Sequence, residues 1–245
     1  MERREYERLR EHEAGYWWHV ARRDMIHALL EEHVPRDPAR KALDIGCGTG
    51  ANFDLLAPWG TFFGTEVEPG LWGGGARPDR PVLLARGERL PFADGTFGLC
   101  TFFDVLEHVE AEREFLKEVR RVLVPGGLVL LSVPAYMFLW SRHDESLRHF
   151  RRYVRRTLSE ALFAAHLEVL RMTHGMASIL PPVAAVRWMA RLTKSEEGPQ
   201  SSYVDTPEPV GRVLTGVLGA EARWLRHGDL PFGTSIFALA RRSGA

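Results

Sequence analysis

The chain has 245 residues, 45% hydrophobic and 26% charged, with 32 basic residues balanced by 32 acidic ones. That profile belongs to a globular protein with one sizeable core and excludes fibrous and disordered classes. Zero net formal charge gives no general pull toward nucleic acid or anionic membrane, although 29 of the basic residues are arginines. Two cysteines, Cys47 and Cys100, make no disulfide framework, and no signal-peptide pattern opens the chain, so a cytoplasmic location is expected.

In chain order, Tyr16-Trp17-Trp18-His19 leads into Val20, Met25, Ile26, Leu29 and Leu30 at helical spacing that ends near Pro35 and Pro38. This predicts an N-terminal helical cap over residues 1–38. Strands are expected at Ala42 to Ile45, Thr61 to Glu66, Val82 to Ala85, Phe97 to Phe103 and Leu128 to Val133, with a helix from Ala111 to Val122. Pro125-Gly126-Gly127 reads as a turn before the fifth strand; with Pro134 it breaks the uncharged stretch Val122 to Trp140, so no transmembrane segment is expected. An Arg- and His-rich loop follows, then a helix from about Thr157 to His166 and a strand from Glu168 to Thr173. Alternating strands and helices predict an α/β fold with a mostly parallel sheet, its core over 39–174. An insertion over 175–232 holds helices at Pro182 to Leu192 and Pro207 to about His227, joined by a polar linker, Thr193 to Thr206, that reads as a mobile loop. The final unit, 233–245, carries a strand from Ser235 to Ala240.

The run Ala42-Leu43-Asp44-Ile45-Gly46-Cys47-Gly48-Thr49-Gly50 is a strand entering a glycine-rich turn. Without Cβ atoms at Gly46, Gly48 and Gly50, such a turn exposes N–H groups at the mouth of a parallel sheet and admits ligand atoms close to the backbone. The same glycines satisfy a dinucleotide fingerprint, so an NAD-linked oxidoreductase stands as an alternative. Glu66, twenty residues past Gly46, suits ribose hydroxyls in either case. Asp44 separates the two, because an acid there opposes a pyrophosphate and suits a cationic ligand.

From Lys41 to Tyr136 the sequence resembles the class I S-adenosylmethionine-dependent methyltransferases. Leu43 to Gly50 is similar to that family's first motif, Gly64-Thr65-Glu66-Val67 to its ribose-binding strand end, and Glu88-Arg89-Leu90-Pro91-Phe92 to its segment beside the adenine. Asp104-Val105-Leu106-Glu107-His108-Val109 resembles the loop after strand four. Trp17-Trp18-His19, Trp140 to Asp144, His149 to Tyr153 and Leu230 to Ser235 resemble a narrower bacterial group, similar to methyltransferase type 11. The resemblance implies a Rossmann-like seven-stranded sheet with the last strand antiparallel, a helical cap, and a helical insertion before the last strand that covers the acceptor site. It implies S-adenosylmethionine as donor and S-adenosylhomocysteine as product. Ribose would lie on Glu66, the methionine part near Asp44, Gly46 and Asp104, and adenine near Val67 and Gly87, with Gly48, Gly50 and Phe103 completing the site and Arg22 reaching the donor carboxylate. Arg86 stands where the family usually has an adenine-binding acid, and Gly98 where an Asp follows the Phe of strand four. A catalytically silent donor-binding protein is the other alternative.

Methyl transfer depends chiefly on alignment and requires a base only when the nucleophile loses a proton during transfer. The candidates are His143, His149 and His108, with His143 preferred for its place after strand five and Asp144 as an orienting acid. Arg148, Arg151, Arg152, Arg155 and Arg156 would suit an anionic acceptor, or else form a solvated helix face. Tyr16, Trp17 and Trp18 read as an aromatic lid or as packing, and Ile179, Leu180, Val183, Val186, Trp188 and Met189 as cover for an apolar acceptor or as a buried helix. The expected partner is a small molecule, with no nucleic-acid module and no metal site read from spacing.

Overall fold

In the computed structural model, which describes His12 and residues 15–69, 81–192 and 206–244, seven strands form one sheet. They are β1 (Lys41–Ile45), β2 (Thr61–Glu66), β3 (Val82–Leu84), β4 (Phe97–Phe103), β5 (Leu123–Pro134), β6 (Leu167–Gly175) and β7 (Ser235–Arg242). Their order across the sheet is β3-β2-β1-β4-β5-β7-β6. β7 runs antiparallel to both β5 and β6, while the remaining neighbours are parallel. The sheet is therefore Rossmann-like, with the antiparallel last strand that the family resemblance implies. All but the first residue of β1 are buried, as a central strand covered on both faces demands.

Helices lie on both faces: α1 (Trp17–His33), α2 (Phe53–Leu56), α3 (Glu112–Val122), α4 (Arg142–Ser146), α5 (Arg155–Ala164), α6 (Leu180–Leu192) and α7 (Glu208–Trp224). On one face Phe115, Leu116 and Val119 of α3 and Leu158 and Leu162 of α5 pack against Leu43, Phe102 and Leu131 of the sheet. On the other, Met25, Ile26 and Leu30 of α1 join Trp59, Leu99, Leu218 and Leu225. α1 and α7 lie against each other there, so the N-terminal helix and the second helix of the insertion form one layer.

Three local differences from the sequence expectation have physical causes. Pro125-Gly126-Gly127 does not precede β5 but lies within it. Gly126 takes φ +76° without a Cβ penalty, and the ladder to β4 shifts register between Phe97 and Leu99 before resuming, which is a bulge. The helix after the glycine turn is one turn long and tightens into a 3-10 segment, Ala57–Trp59, containing Pro58. The expected Arg/His loop contains α4, which starts where the Ser141 N–H donates to Asp144 Oδ2 at 2.9 Å, a reciprocal cap between N-cap and N3. The expected mobile linker lies, but for Thr206, outside the described residues, as does the charged start of the chain.

From β1 the chain moves outward through β2 and β3, then returns to place β4 on the opposite side of β1. The carboxyl ends of β1 and β4 thus bound the switch point at which open α/β sheets bind ligands. Among the described residues, no helix is long and apolar enough to cross a membrane.

Candidate functional site

At the end of β1, Gly46, Gly48 and Gly50 adopt φ of +69°, +58° and +79°. An L side chain is strained there, and a Cβ on Gly46 would stand 2.6 Å from Val105 Cγ2. Glu66 ends β2 beside this turn, where Oε2 accepts the Gly48 N–H at 3.0 Å and Oε1 accepts the Val67 N–H at 2.7 Å. Only 7% of Glu66 is exposed, so one buried carboxylate clasps the glycine turn and fixes the rim of the next strand. Asp44 faces Thr101 across the β1–β4 ladder and accepts its hydroxyl at 2.7 Å. Cross-strand partners share a face, and this one points into the interior. Consequently neither Asp44 nor Gly50 lines the cleft in front of the turn, whereas Gly46, Gly48 and Glu66 do.

The opposite wall comes from α1 and the end of β4. Arg22 is buried and donates to Asp104 Oδ2 at 2.7 Å, while Asp104 Oδ1 accepts the Ser132 hydroxyl at 3.1 Å. Asp104 takes φ +54°, a turn that leaves it facing the cleft beside Phe103. The Arg22 guanidinium lies over the Trp18 ring at 4.9 Å, and its Nε has no hydrogen-bond partner among the described residues. Val67 and Gly87 form the far rim. A Cβ on Gly87 would meet the Phe115 ring at 2.2 Å, so glycine lets this segment lie flat on α3. α3 pins the following loop: Glu118 accepts the Leu90 N–H at 2.9 Å, and Arg121 donates to the carbonyls of Phe92 and Leu90 at 2.8 and 3.1 Å. Arg86 is turned outward and pairs with Glu88 at 3.1 Å, which places an acid on this rim two residues beyond the expected position.

Beyond β5 the cleft is walled by side chains from distant segments. Asp144 on α4 is fully buried and receives Arg152 Nε at 2.6 Å, with His149 Nδ1 3.0 Å from Oδ1 and Arg187 of α6 at 3.6 Å. Burial alone would raise its pKa, but the His149 hydrogen bond and the Arg152 charge hold the carboxyl well below the usual range. Asp144 therefore orients His149, not the adjacent His143. Burial pushes His143 down to about 4 against the pull of Asp144, and its Nδ1 has no hydrogen-bond partner among the described residues. His108 is pushed down to about 3 by burial and by the neighbouring His149. Glu107 is raised well above the ordinary carboxylate value by burial and by the Asp104 charge. His143, His149, His108 and Glu107 all line the cleft. Glu107 lies in the segment that resembles the loop after strand four, but that resemblance gives it no role, and Arg187 carries no motif signal; their convergence on this wall marks them.

The basic run is split: Arg151 and Arg152 are partly buried, while Arg148, Arg155 and Arg156 are exposed. Arg151 reaches Glu112 at 3.0 Å and the Glu110 carbonyl at 2.9 Å, Arg152 holds Asp144, and Arg156 lies along its own helix near Glu160 at 3.8 Å. Of the run's arginines, Arg148 and Arg152 line the cleft. Among the described residues of the insertion, Ile179 and α6 reach the cleft, the helix contributing Pro182, Val183, Val186, Arg187, Ala190 and Arg191. α7 turns away; its Glu221 accepts the Ala177 N–H at 2.8 Å and fixes the start of the insertion. The whole cleft, from the glycine turn to α6, has a volume of about 1290 Å³. That exceeds the usual range for a single drug-sized ligand, roughly 300–1,000 Å³.

A sheet of this order, with a buried acid at the end of β2 and a large cleft at its switch point, defines a Rossmann-like α/β fold. A family profile described as Methyltransferase domain matches residues 43–131, from β1 into β5. The chain is 31% identical over 186 residues to an uncharacterized methyltransferase of Mycobacterium tuberculosis, covering 67% of this chain and 73% of that relative. It is 34% identical over 96 residues to the demethylmenaquinone methyltransferase of Corynebacterium urealyticum, 39% of this chain and 42% of that one. Among solved structures, the geranyl diphosphate C-methyltransferase of Streptomyces coelicolor shares the fold at 15% identity and a TM-score of 0.58, covering 87% of this chain and 76% of that one. The chain belongs to the class I S-adenosylmethionine-dependent methyltransferases, and S-adenosylmethionine is its methyl donor. The oxidoreductase and silent-binder alternatives fall with this assignment.

Proposed function

We propose that the enzyme methylates a hydroxyl oxygen of a small, largely apolar acceptor seated between α6 and the histidine wall. The observation that carries this reading is the division of the cleft. One end is backbone and carboxylate, while the other is apolar helix and imidazole, where Arg152 and Arg187 lie against Asp144 and Arg191 donates to the carbonyls of Phe138 and Trp140.

On the donor side, Glu66 receives the ribose hydroxyls, Gly46, Gly48 and Gly50 shape the turn against the methionine part, and Val67 and Gly87 flank the adenine beside Phe103. The buried Arg22 Nε, without a partner among the described residues, fits a ligand carboxylate near Asp104. Asp44 acts from behind the turn, through its charge and its hold on Thr101. When bound, the donor supplies a methyl carbon activated by a sulfonium, whose charge disappears during transfer. The protein's tasks are alignment and exclusion of water. Trp17, Trp18 and Tyr16 close the cleft from α1. His143, neutral at ordinary pH and lining the cleft, accepts the hydroxyl proton. The bound donor would supply its methyl group to that oxygen, the carbon–sulfur electron pair remaining with sulfur. His149, fixed by Asp144, faces the same acceptor space.

Glu66→Ala should weaken S-adenosylhomocysteine binding by about 1–3 kcal/mol in calorimetry, the range for losing a charged hydrogen-bond partner. Unchanged affinity in the folded variant would remove the ribose assignment. Incubation with methyl-labelled donor and a panel of phenolic, aliphatic hydroxyl and phosphorylated small molecules tests the acceptor class. Label confined to the phosphorylated members would overturn it.

A further inference from the structure

The turn after β4 and the segment after α4 bring a carboxylate and two imidazoles together. A carboxylate oxygen of Glu107 and one ring nitrogen each from His108 and His149 lie within 4.8 Å of one another, and all three residues line the cleft. Glu107 is 1% exposed, and its Oε2 has no hydrogen-bond partner among the described residues. A buried carboxylate beside two ring nitrogens, with one oxygen unpartnered among the described residues, has a donor set that a cation can satisfy.

Both rings are held from behind, as metal-binding imidazoles are. Asp144 Oδ1 takes His149 Nδ1 at 3.0 Å and leaves Nε2 for the cleft. The His108 ring bonds the Leu147 backbone. The two rings meet edge to face, with centroids 4.5 Å apart. A cation about 2.1 Å from each ligand needs ligand atoms about 3 to 4 Å apart, which small side-chain rotations reach.

We propose that Glu107, His108 and His149 bind one divalent transition-metal ion of the Zn²⁺ type at the acceptor end of the cleft, with an open position facing the acceptor. Two imidazoles and one carboxylate suit Zn²⁺, Co²⁺, Mn²⁺ or Fe²⁺ better than Mg²⁺ or Ca²⁺, which prefer all-oxygen shells. Three protein ligands leave a coordination position for an exogenous oxygen. Resting on the hydroxyl-acceptor reading above, that oxygen is the acceptor's: the ion binds it and lowers its pKa, and His143 takes the proton. His149 is then a ligand, which explains why its Nδ1 is committed to Asp144 while that of His143 is not. The three residues belong to two segments far apart in sequence, so no ligand spacing announces the site.

The test uses untagged full-length protein, dialysed against chelator and titrated with Co²⁺ and Zn²⁺ by calorimetry and visible absorption. The expected result is one equivalent of each, with cobalt d–d bands and no sulfur-to-cobalt charge transfer. Glu107→Gln and His149→Ala should each bind at least tenfold more weakly while still binding S-adenosylhomocysteine, which shows that they are folded. Addition of catechol should shift the cobalt bands by occupying the open position. Absence of d–d bands in the wild-type protein, charge transfer from a thiolate, or unchanged affinity in a folded variant would overturn the site; bands unmoved by catechol would overturn its acceptor role. Binding of S-adenosylhomocysteine without metal is read separately, so failure of the metal site and failure of the donor assignment are distinguishable.

Discussion

The two ends of the cleft are built by different means. The end proposed for the donor is backbone: three glycines at positive φ, one carboxylate that accepts backbone N–H groups, and a flat glycine segment pinned to α3. Its pieces follow consecutive strand ends, and each is a few residues long. The acceptor end is side chain: Glu107 and His108 after β4, His143, Asp144, His149 and Arg152 around α4, and Arg187 from the insertion. Its stability depends on one buried carboxylate that balances charges from separate segments. A ligand common to a whole family is met by a shape that local sequence encodes, while a particular acceptor is met by residues that only the fold assembles.

The largest expected effect falls on the acceptor end. Asp144→Ala leaves Arg152 and His149 buried without their anion and should cost about 3–5 kcal/mol of stability by denaturant unfolding. If the two ends are independent, the fraction that remains folded should keep its affinity for S-adenosylhomocysteine. A large affinity loss would show that the wall also supports the donor rim.

Gly87→Ala reverses the comparison. Its Cβ would stand 2.2 Å from the Phe115 ring, so overpacking should cost about 1–3 kcal/mol and displace the adenine rim. Donor affinity should fall while Co²⁺ binding by the histidine wall persists; wild-type donor affinity in a folded variant would place the adenine elsewhere.

A smaller effect lies where α1 meets both ends. Burial, with the Arg22 and Arg23 charges, lowers His19 from 6.5 to about 2. The unfolded chain therefore binds a proton at this site first as pH falls, so the contribution to stability is complete above about pH 7. It then declines by about 1.4 kcal/mol per pH unit below the unfolded value. Urea midpoints between pH 7 and pH 5 should fall less steeply in His19→Gln than in the wild-type protein. Equal slopes would show that His19 does not stay neutral in the folded chain.

Much of the scaffold was legible because its signals are local. Thr61–Glu66 and Phe97–Phe103 appear as strands at the bounds their β-branched and aromatic runs indicate, and Glu112–Val122 is a helix with Phe115, Val119 and Val122 on its buried face. Pro125-Gly126-Gly127 was misjudged because glycine at positive φ signals a turn or a bulge equally well, and only the partner strand β4 decides which. Asp44 and Asp144 looked alike in sequence as acids beside functional residues. One proved to be a ladder partner of Thr101, the other the anchor of His149 and Arg152.

The sequence by itself determined the α/β class and the glycine turn with Glu66 twenty residues on, because strand period and backbone freedom are properties of short segments, and its resemblance to a family of methyltransferases implied the donor. The tertiary structure decided which charges are satisfied, which helix of the insertion lines the cleft, and how Glu107, His108 and His149 come to share one space. Those depend on distances between residues remote along the chain, and such distances exist only once the sheet order and the packing on its two faces are set.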